Sequence, residues 1–246
     1  MDYWAKAPLR RDQILLFSPT LDDSISDDHP VRLLDEILRA QDWSRWEAEY
    51  DGTRGQPPIP PWVMAGVILY GLMRRIRSSR QLEYACGHNI DFMWLSEGRR
   101  IDHTTLCKFR TKFRQPLKQL FKDLGRLAMS MGLVQLVEIA FDGTRVKAGT
   151  DSTVTRDGYE PWRERMHAKL QTEEGKETYH RRMHVGETPF AVIKGILQVR
   201  RFLLRGLDKV RTEWRWVCTA CNLRKLIATL AALRAEAGKM PAILRG

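Results

Sequence analysis

A chain of 246 residues, 43% of them hydrophobic, is long enough for one large domain or two modest ones with real cores, and its composition excludes a disordered polypeptide. Four scattered cysteines (Cys86, Cys107, Cys218, Cys221) do not make a disulfide scaffold, Asp2, Lys6, Arg10 and Arg11 interrupt any signal-like start, and the apolar stretch Val63 to Met73, broken by Gly66 and Gly71, is shorter than the ~20 residues of a membrane span, so the expectation is a soluble, cytoplasmic protein with no membrane partner. The net charge of +11 is uneven: residues 1–50 hold 6 basic and 11 acidic side chains, a net of −5, which leaves +16 on the remainder and points to a polyanion partner there, although a basic balance also serves solubility.

Helix signals dominate the first 130 residues. In "SDDHPVRLLDEILRA", Asp27 or Asp28 is a candidate N-cap, Pro30 suits an early helical position, and Leu33, Leu34, Ile37 and Leu38 share one face. The loop "DGTRGQPPIPP" punctuates the chain, after which Pro60 and Pro61 open a helix that is apolar all round and therefore central to the core. Shorter units follow: "SSRQLEYACG" capped by Ser78 or Ser79, "NIDFMWLSEG" ending at Gly98, and "DHTTLCKFRTKF" starting at Asp102 or His103. A longer helix runs from about Gln115 to Met131.

A short helix, a tight break and a second helix rich in Thr, Lys and Arg have the order of a helix-turn-helix. In that geometry His103, Thr104, Thr105, Lys108 and Arg110 would approach base edges, while Arg74, Arg75, Arg77, Arg80, Arg99 and Arg100 would grip phosphates. An ordinary bundle with a solvated basic face gives the same pattern, and these residues alone do not choose between the two.

The run "LVQLVEIAFDG" differs in kind. It is short, partly β-branched or aromatic and bounded by Gly132 and Gly143, which predicts a buried strand ending on Asp142. A strand-terminal Asp can be a fixed, charged ligand or merely a turn former. Further on, residues 196–233 carry apolar side chains at helical spacing with Arg200, Arg201, Arg205, Lys209 and Arg211 interleaved, predicting two helices with a break near Gly206. Cys218 and Cys221 form a C-x-x-C inside that periodic run with no second ligand pair nearby, so buried thiols are expected over metal or redox chemistry.

Taken together, "ISDDHPVRLLDEI", "ILYGLMRRIRSSRQLEYA", "IDHTTLCKFR" and "IAFDGTRVKAG" resemble the amino-terminal half of bacterial DDE-type insertion-sequence transposases, and residues 166–226 are similar to their carboxy-terminal end. The resemblance spans about residues 12–230. It implies strand cleavage and joining at phosphodiesters, with double-stranded DNA of the element ends as partner, a nucleoid-associated location, and homo-oligomers or mixed oligomers with an intact relative. It also implies two Mg²⁺ or Mn²⁺ ions about 3.5–4 Å apart, held by three acids because hard cations prefer oxygen ligands. Asp142 takes the place of the first family Asp, and Glu187 that of the last Glu, so these two would be the catalytic and metal-holding residues. Tyr179, Arg182, Glu187 and Lys194 correspond to the family's helical Tyr, Arg, Glu and Lys signature, with one residue more than its commonest form between Arg182 and Glu187, and Tyr179, Arg182 and Lys194 would face DNA.

The family's second Asp lies on another strand after a long stretch of sheet and insertion. Here Glu187 follows Asp142 by only 45 positions, and the interval is polar, with Asp151 and Asp157 in hydrophilic segments that offer no strand to position them. An internal deletion of the middle of the core is therefore expected, and with it weakened metal binding and lost or severely impaired catalysis. The expected architecture is mainly α with a small residual β element: a helical, helix-turn-helix-like DNA-binding bundle over 1–131, then a truncated ribonuclease-H-like α/β core with carboxy-terminal helices over 132–246.

Overall fold

A computed structural model describes residues 20–50, 58–132, 168, 171–173, 176–177 and 188–237. The described residues are mostly helical and contain no β-strand, in agreement with a mainly α chain. The strand expected at 133–142 and the residual β element lie outside them, as does any ribonuclease-H-like core around Asp142.

Helix α1 (Pro30–Arg39) begins where Pro30, with its fixed φ, is pre-set for the first helical position. The cap is His29 rather than Asp27 or Asp28: its Nδ1 accepts the Val31 N–H at 3.3 Å, because the proline fixes the first turn and only the residue just before it can reach that donor. The five buried residues of α1 (Val31, Leu33, Leu34, Ile37, Leu38) form one stripe, as the spacing predicts. A short turn of helix, α2 (Ser44–Glu47), places Trp46 inward.

Helix α3 (Pro61–Met73) is buried along almost its whole length, the central position that its uniform apolarity demands. Gly71 lets α3 approach its neighbour: a Cβ there would lie 2.4 Å from Leu82 Cδ2 and 2.9 Å from the Ile76 carbonyl. Around α3 pack α4 (Ser79–His88), α5 (Ile90–Leu95) and α6 (His103–Lys112), and α7 (Arg114–Ser130) follows, with boundaries close to those read from the sequence.

The carboxy-terminal part joins the same core. Helix α8 (Thr188–Ala191) runs into a π-helical turn (Val192–Ile196), and the 31-residue α9 (Leu207–Ala237) follows Gly206, whose φ is +89°. Of the two helices expected on either side of Gly206 only the second forms: residues 197–206 are irregular, with Gln198 in the left-handed region at φ 54°, which breaks a helix ladder there. Trp216, Val217, Ala220, Leu223, Ile227 and Leu230 of α9 belong to one buried cluster with α1, α3, α6 and α7. Trp46 stands where these elements converge, with ring centroids 5.0 Å from Phe113, 5.6 Å from Phe109 and 6.2 Å from Trp216. At the far end of α9, Arg234 donates to Glu36 Oε2 at 2.6 Å, tying it to α1. Part of α9 (Leu207–Ala235) is long and apolar enough by composition to cross a membrane, but half of its most apolar window is buried within the protein, as in a core helix. Cys221 is buried and Cys218 half-buried; burial pushes the Cys218 thiol up to about 12 and raises that of Cys221, so both are held as neutral thiols.

Candidate nucleic-acid interface

Helices α4 and α6 are joined by two polar contacts, each pairing the start of one helix with the middle of the other. Ser79 Oγ lies 3.0 Å from Cys107 Sγ, and His103 Nδ1 lies 2.8 Å from Glu83 Oε2. Asp102 caps α6: its Oδ1 accepts the N–H groups of Thr104 (2.8 Å) and Thr105 (3.1 Å), and its Oδ2 accepts the Thr105 hydroxyl (2.5 Å). These bonds, led by that of the Thr105 hydroxyl, hold the Asp102 carboxyl down at about 2, so the helix start carries a permanent negative charge.

That cap decides how the first turn of α6 can meet an anion. Its free N–H groups are already engaged by Asp102, so a phosphate would not be drawn to the helix end, and recognition falls to side chains. Of the residues expected to read bases, His103 is engaged with Glu83, and Thr105 and Thr104 with Asp102, while Lys108 is exposed and makes no side-chain hydrogen bond or ion pair among the described residues.

Arg110 is turned inward. Its Nη1 donates to the Arg77 carbonyl at 2.7 Å, and burial lowers its pKa from the usual guanidinium range. The Arg77 side chain, only 13% exposed, donates through Nη2 to the Arg201 carbonyl (2.6 Å) and to Glu213 Oε1 (2.8 Å). Arg75, in a left-handed backbone conformation with φ of 65°, donates through Nε to the Ile196 carbonyl at 2.8 Å. Two expected DNA-contacting arginines, Arg75 and Arg77, thus brace the carboxy-terminal segment, and a third, Arg110, braces the Arg77 backbone. Arg74 is exposed at 4.0 Å from Asp91, Arg99 bonds Glu97 and the Ser96 carbonyl, and Arg80 and Arg100 are exposed without a partner among the described residues.

Two features of this surface escaped the sequence reading. Tyr84, 63% exposed, stacks on His88 at 3.9 Å and 7°, while His88 Nδ1 lies 2.8 Å from the Tyr84 carbonyl. The signal was present in the i, i+4, i+8 spacing of Arg80, Tyr84 and His88 along one helical stripe. The second is a shallow groove of about 320 Å³ lined by Arg45, Lys118 and Lys122 among others, whose cations come from α2 and α7 and share no sequence motif.

Asp142, Glu187, Tyr179 and Arg182 lie outside the described residues, so the structure gives no test of how they would fit a metal ion. Lys194, the last member of that signature, sits half-buried in the π-helical turn. Among the described residues, no group of three or more His, Cys, Asp or Glu side chains is placed to hold a metal.

A basic helical surface over a core shared by both ends of the chain defines a class of candidate nucleic-acid-binding proteins, and comparison with known families narrows it. Residues 19–112 match a family described as a transposase domain (DUF772), and residues 142–227 match one described as a transposase DDE domain. With these two matches in tandem, the chain belongs to the DDE-type insertion-sequence transposases. Divalent-metal dependence and binding to element ends are properties of that family. No curated protein and no solved structure matches the chain.

Proposed function

We propose that this transposase-family chain binds the DNA ends of an insertion sequence through the α4–α6 surface but is lost or severely impaired in strand cleavage and transfer. The observation that carries the binding half is the set of exposed cations without partners among the described residues, Arg80 on α4, Arg100 just before α6 and Lys108 on α6, with the two helices locked together by the Glu83–His103 contact. Side chains already engaged within a fold lose those bonds on meeting DNA, whereas these three lose only hydration and counterions. Arg74 adds a fourth exposed cation, since its ion pair with Asp91 is long.

The catalytic half rests on the sequence. Asp142 and Glu187 would be the metal-holding acids, with Mg²⁺ or Mn²⁺ supplying activation of the attacking oxygen and stabilisation of the leaving one. The 45-position interval from Asp142 to Glu187 carries no apolar strand-like run in its sequence to position a third acid, so paired cations would be left short of one anionic ligand. A chain that keeps binding without chemistry would occupy element ends or mix into the oligomers of an intact relative, and so act as its antagonist.

Mobility shift with element-end DNA tests the first half. A triple Arg80→Gln, Arg100→Gln, Lys108→Gln variant is expected to bind at least tenfold more weakly while remaining helical; unchanged affinity would remove the α4–α6 surface from consideration. For the second half, the intact chain is expected to leave labelled element-end DNA uncut with Mn²⁺, and cleavage that disappears in Asp142→Ala would overturn the proposed impairment.

A further inference from the structure

Between α3, the turn before α4, the last turn of α6 and the first turns of α9 lies a small cavity of about 20 Å³ whose lining includes Arg77, Arg110 and Glu213. Its charges do not balance. Two guanidiniums face one carboxylate, and Glu213 is fully used: Oε1 takes Arg77 Nη2 (2.8 Å) and the Leu203 N–H (3.1 Å), while Oε2 takes the N–H groups of Leu203 (2.9 Å) and Leu204 (2.9 Å). A carboxylate offers about four acceptor positions, so nothing on Glu213 remains for another donor. Arg77 Nε and Arg110 Nη2 are nevertheless buried with no hydrogen-bond partner among the described residues.

We propose that this cavity is a binding site for one monovalent anion of halide size, held by the Arg77 and Arg110 guanidiniums. Its volume is enough for a single water-sized occupant and excludes a phosphate group. Water suits the site poorly. It could accept from the two orphan donors, but its own hydrogens would meet Ile68, Leu72, Leu204 and Trp216, and the Trp216 Nε1–H is already donated to the Arg110 carbonyl at 3.1 Å. A halide accepts from both guanidiniums, needs no donor contacts of its own and cancels the surplus charge. Seated there, it would join α6 to the 203–204 strap and α9, coupling the candidate DNA-binding helices to the carboxy-terminal segment. The desolvation that lowers the Arg110 pKa is the cost the anion would relieve.

Thermal unfolding of the full chain in bromide or chloride, against gluconate at matched ionic strength, reads this directly. The midpoint is expected to rise by several degrees in halide and to saturate, and the rise should vanish in Arg110→Met, which removes the surplus charge while keeping most of the side-chain volume. Crystals grown in bromide should show an anomalous peak within reach of Arg77 Nε and Arg110 Nη2. Equal midpoints in halide and gluconate, an undiminished rise in a folded Arg110→Met, or a cavity without anomalous signal would each overturn the proposal. The bromide measurement needs no variant, so it decides the matter if Arg110→Met does not fold, and neither readout depends on DNA binding or cleavage.

Discussion

Arg77 Nη2 lies 2.8 Å from Glu213 Oε1, a contact made across 136 positions of the chain between the residue that leads into α4 and the first turns of α9. Both side chains are nearly buried, at 13% and 11% exposure, and the same carboxylate receives the N–H groups of Leu203 and Leu204. One acid thus holds the strap 201–204, α9 and the candidate DNA-binding helices in one arrangement.

Glu213→Ala is therefore expected to destabilise the chain by about 3–5 kcal/mol, because it leaves a buried guanidinium and two backbone donors without their acceptor. Denaturant unfolding measures the loss; a change under about 1 kcal/mol would mean that the pair is not buried in solution.

Asp102 gives a pH dependence with a defined sign. Its carboxyl titrates near 3.8 in an unfolded chain and at about 2 in the folded one, so the stability it contributes is fully present above pH 3.8 and is lost as pH falls from there through about 2. Asp102→Ala should cost about 1 kcal/mol at neutral pH through the lost cap and should flatten that acid limb. Unfolding curves of the two proteins between pH 2 and 5 supply the comparison.

Gly71→Ala should be among the costliest single-methyl additions in the molecule. The new Cβ would fall 2.4 Å from Leu82 Cδ2, a side chain that could turn, but also 2.9 Å from the Ile76 carbonyl, which is backbone and accepts little movement. A loss of about 1–3 kcal/mol in unfolding free energy is expected. Gly87→Ala, where nothing lies within 4 Å, is the control and should be neutral or slightly stabilising, since alanine is the better helix former.

Trp46→Ala should cost about 3–5 kcal/mol, since the indole fills the meeting point of α2, α6, α7 and α9. Near-ultraviolet circular dichroism should weaken along with stability, as the aromatic cluster around Phe109, Phe113 and Trp216 loses its centre.

The arginines divide into two groups with opposite signatures. Neutralising exposed Arg80, Arg100 and Lys108 together should lower the slope of log affinity against log salt by up to about 3 and leave unfolding unchanged within about 1 kcal/mol. Neutralising Arg77 should do the reverse, lowering stability before it alters the salt slope at fixed folded fraction. Fluorescence anisotropy with element-end DNA over a salt series, beside denaturant curves, separates the two.

Much of the architecture could be read from the residues in order. Pro30, Pro61 and Asp102 announce helix starts because capping and a fixed φ act within three or four residues, and the all-apolar face of α3 demands burial wherever the chain goes. The order of blocks also carried the family, which the matches over 19–112 and 142–227 bear out. His29 displaced the aspartates as the α1 cap because reach to one particular N–H, not residue preference, selects the acceptor. The division of the arginines could not be read this way. Arg77 and Arg80 stand three residues apart with the same chemistry, yet one meets Glu213 and the other solvent. Sequence by itself determined which segments are helical and which kind of protein this is, since those signals are local or ordered along the chain. Only the tertiary path decided which cations remain free for a polyanion, because that depends on an acid far along the chain being carried back against the turn before α4.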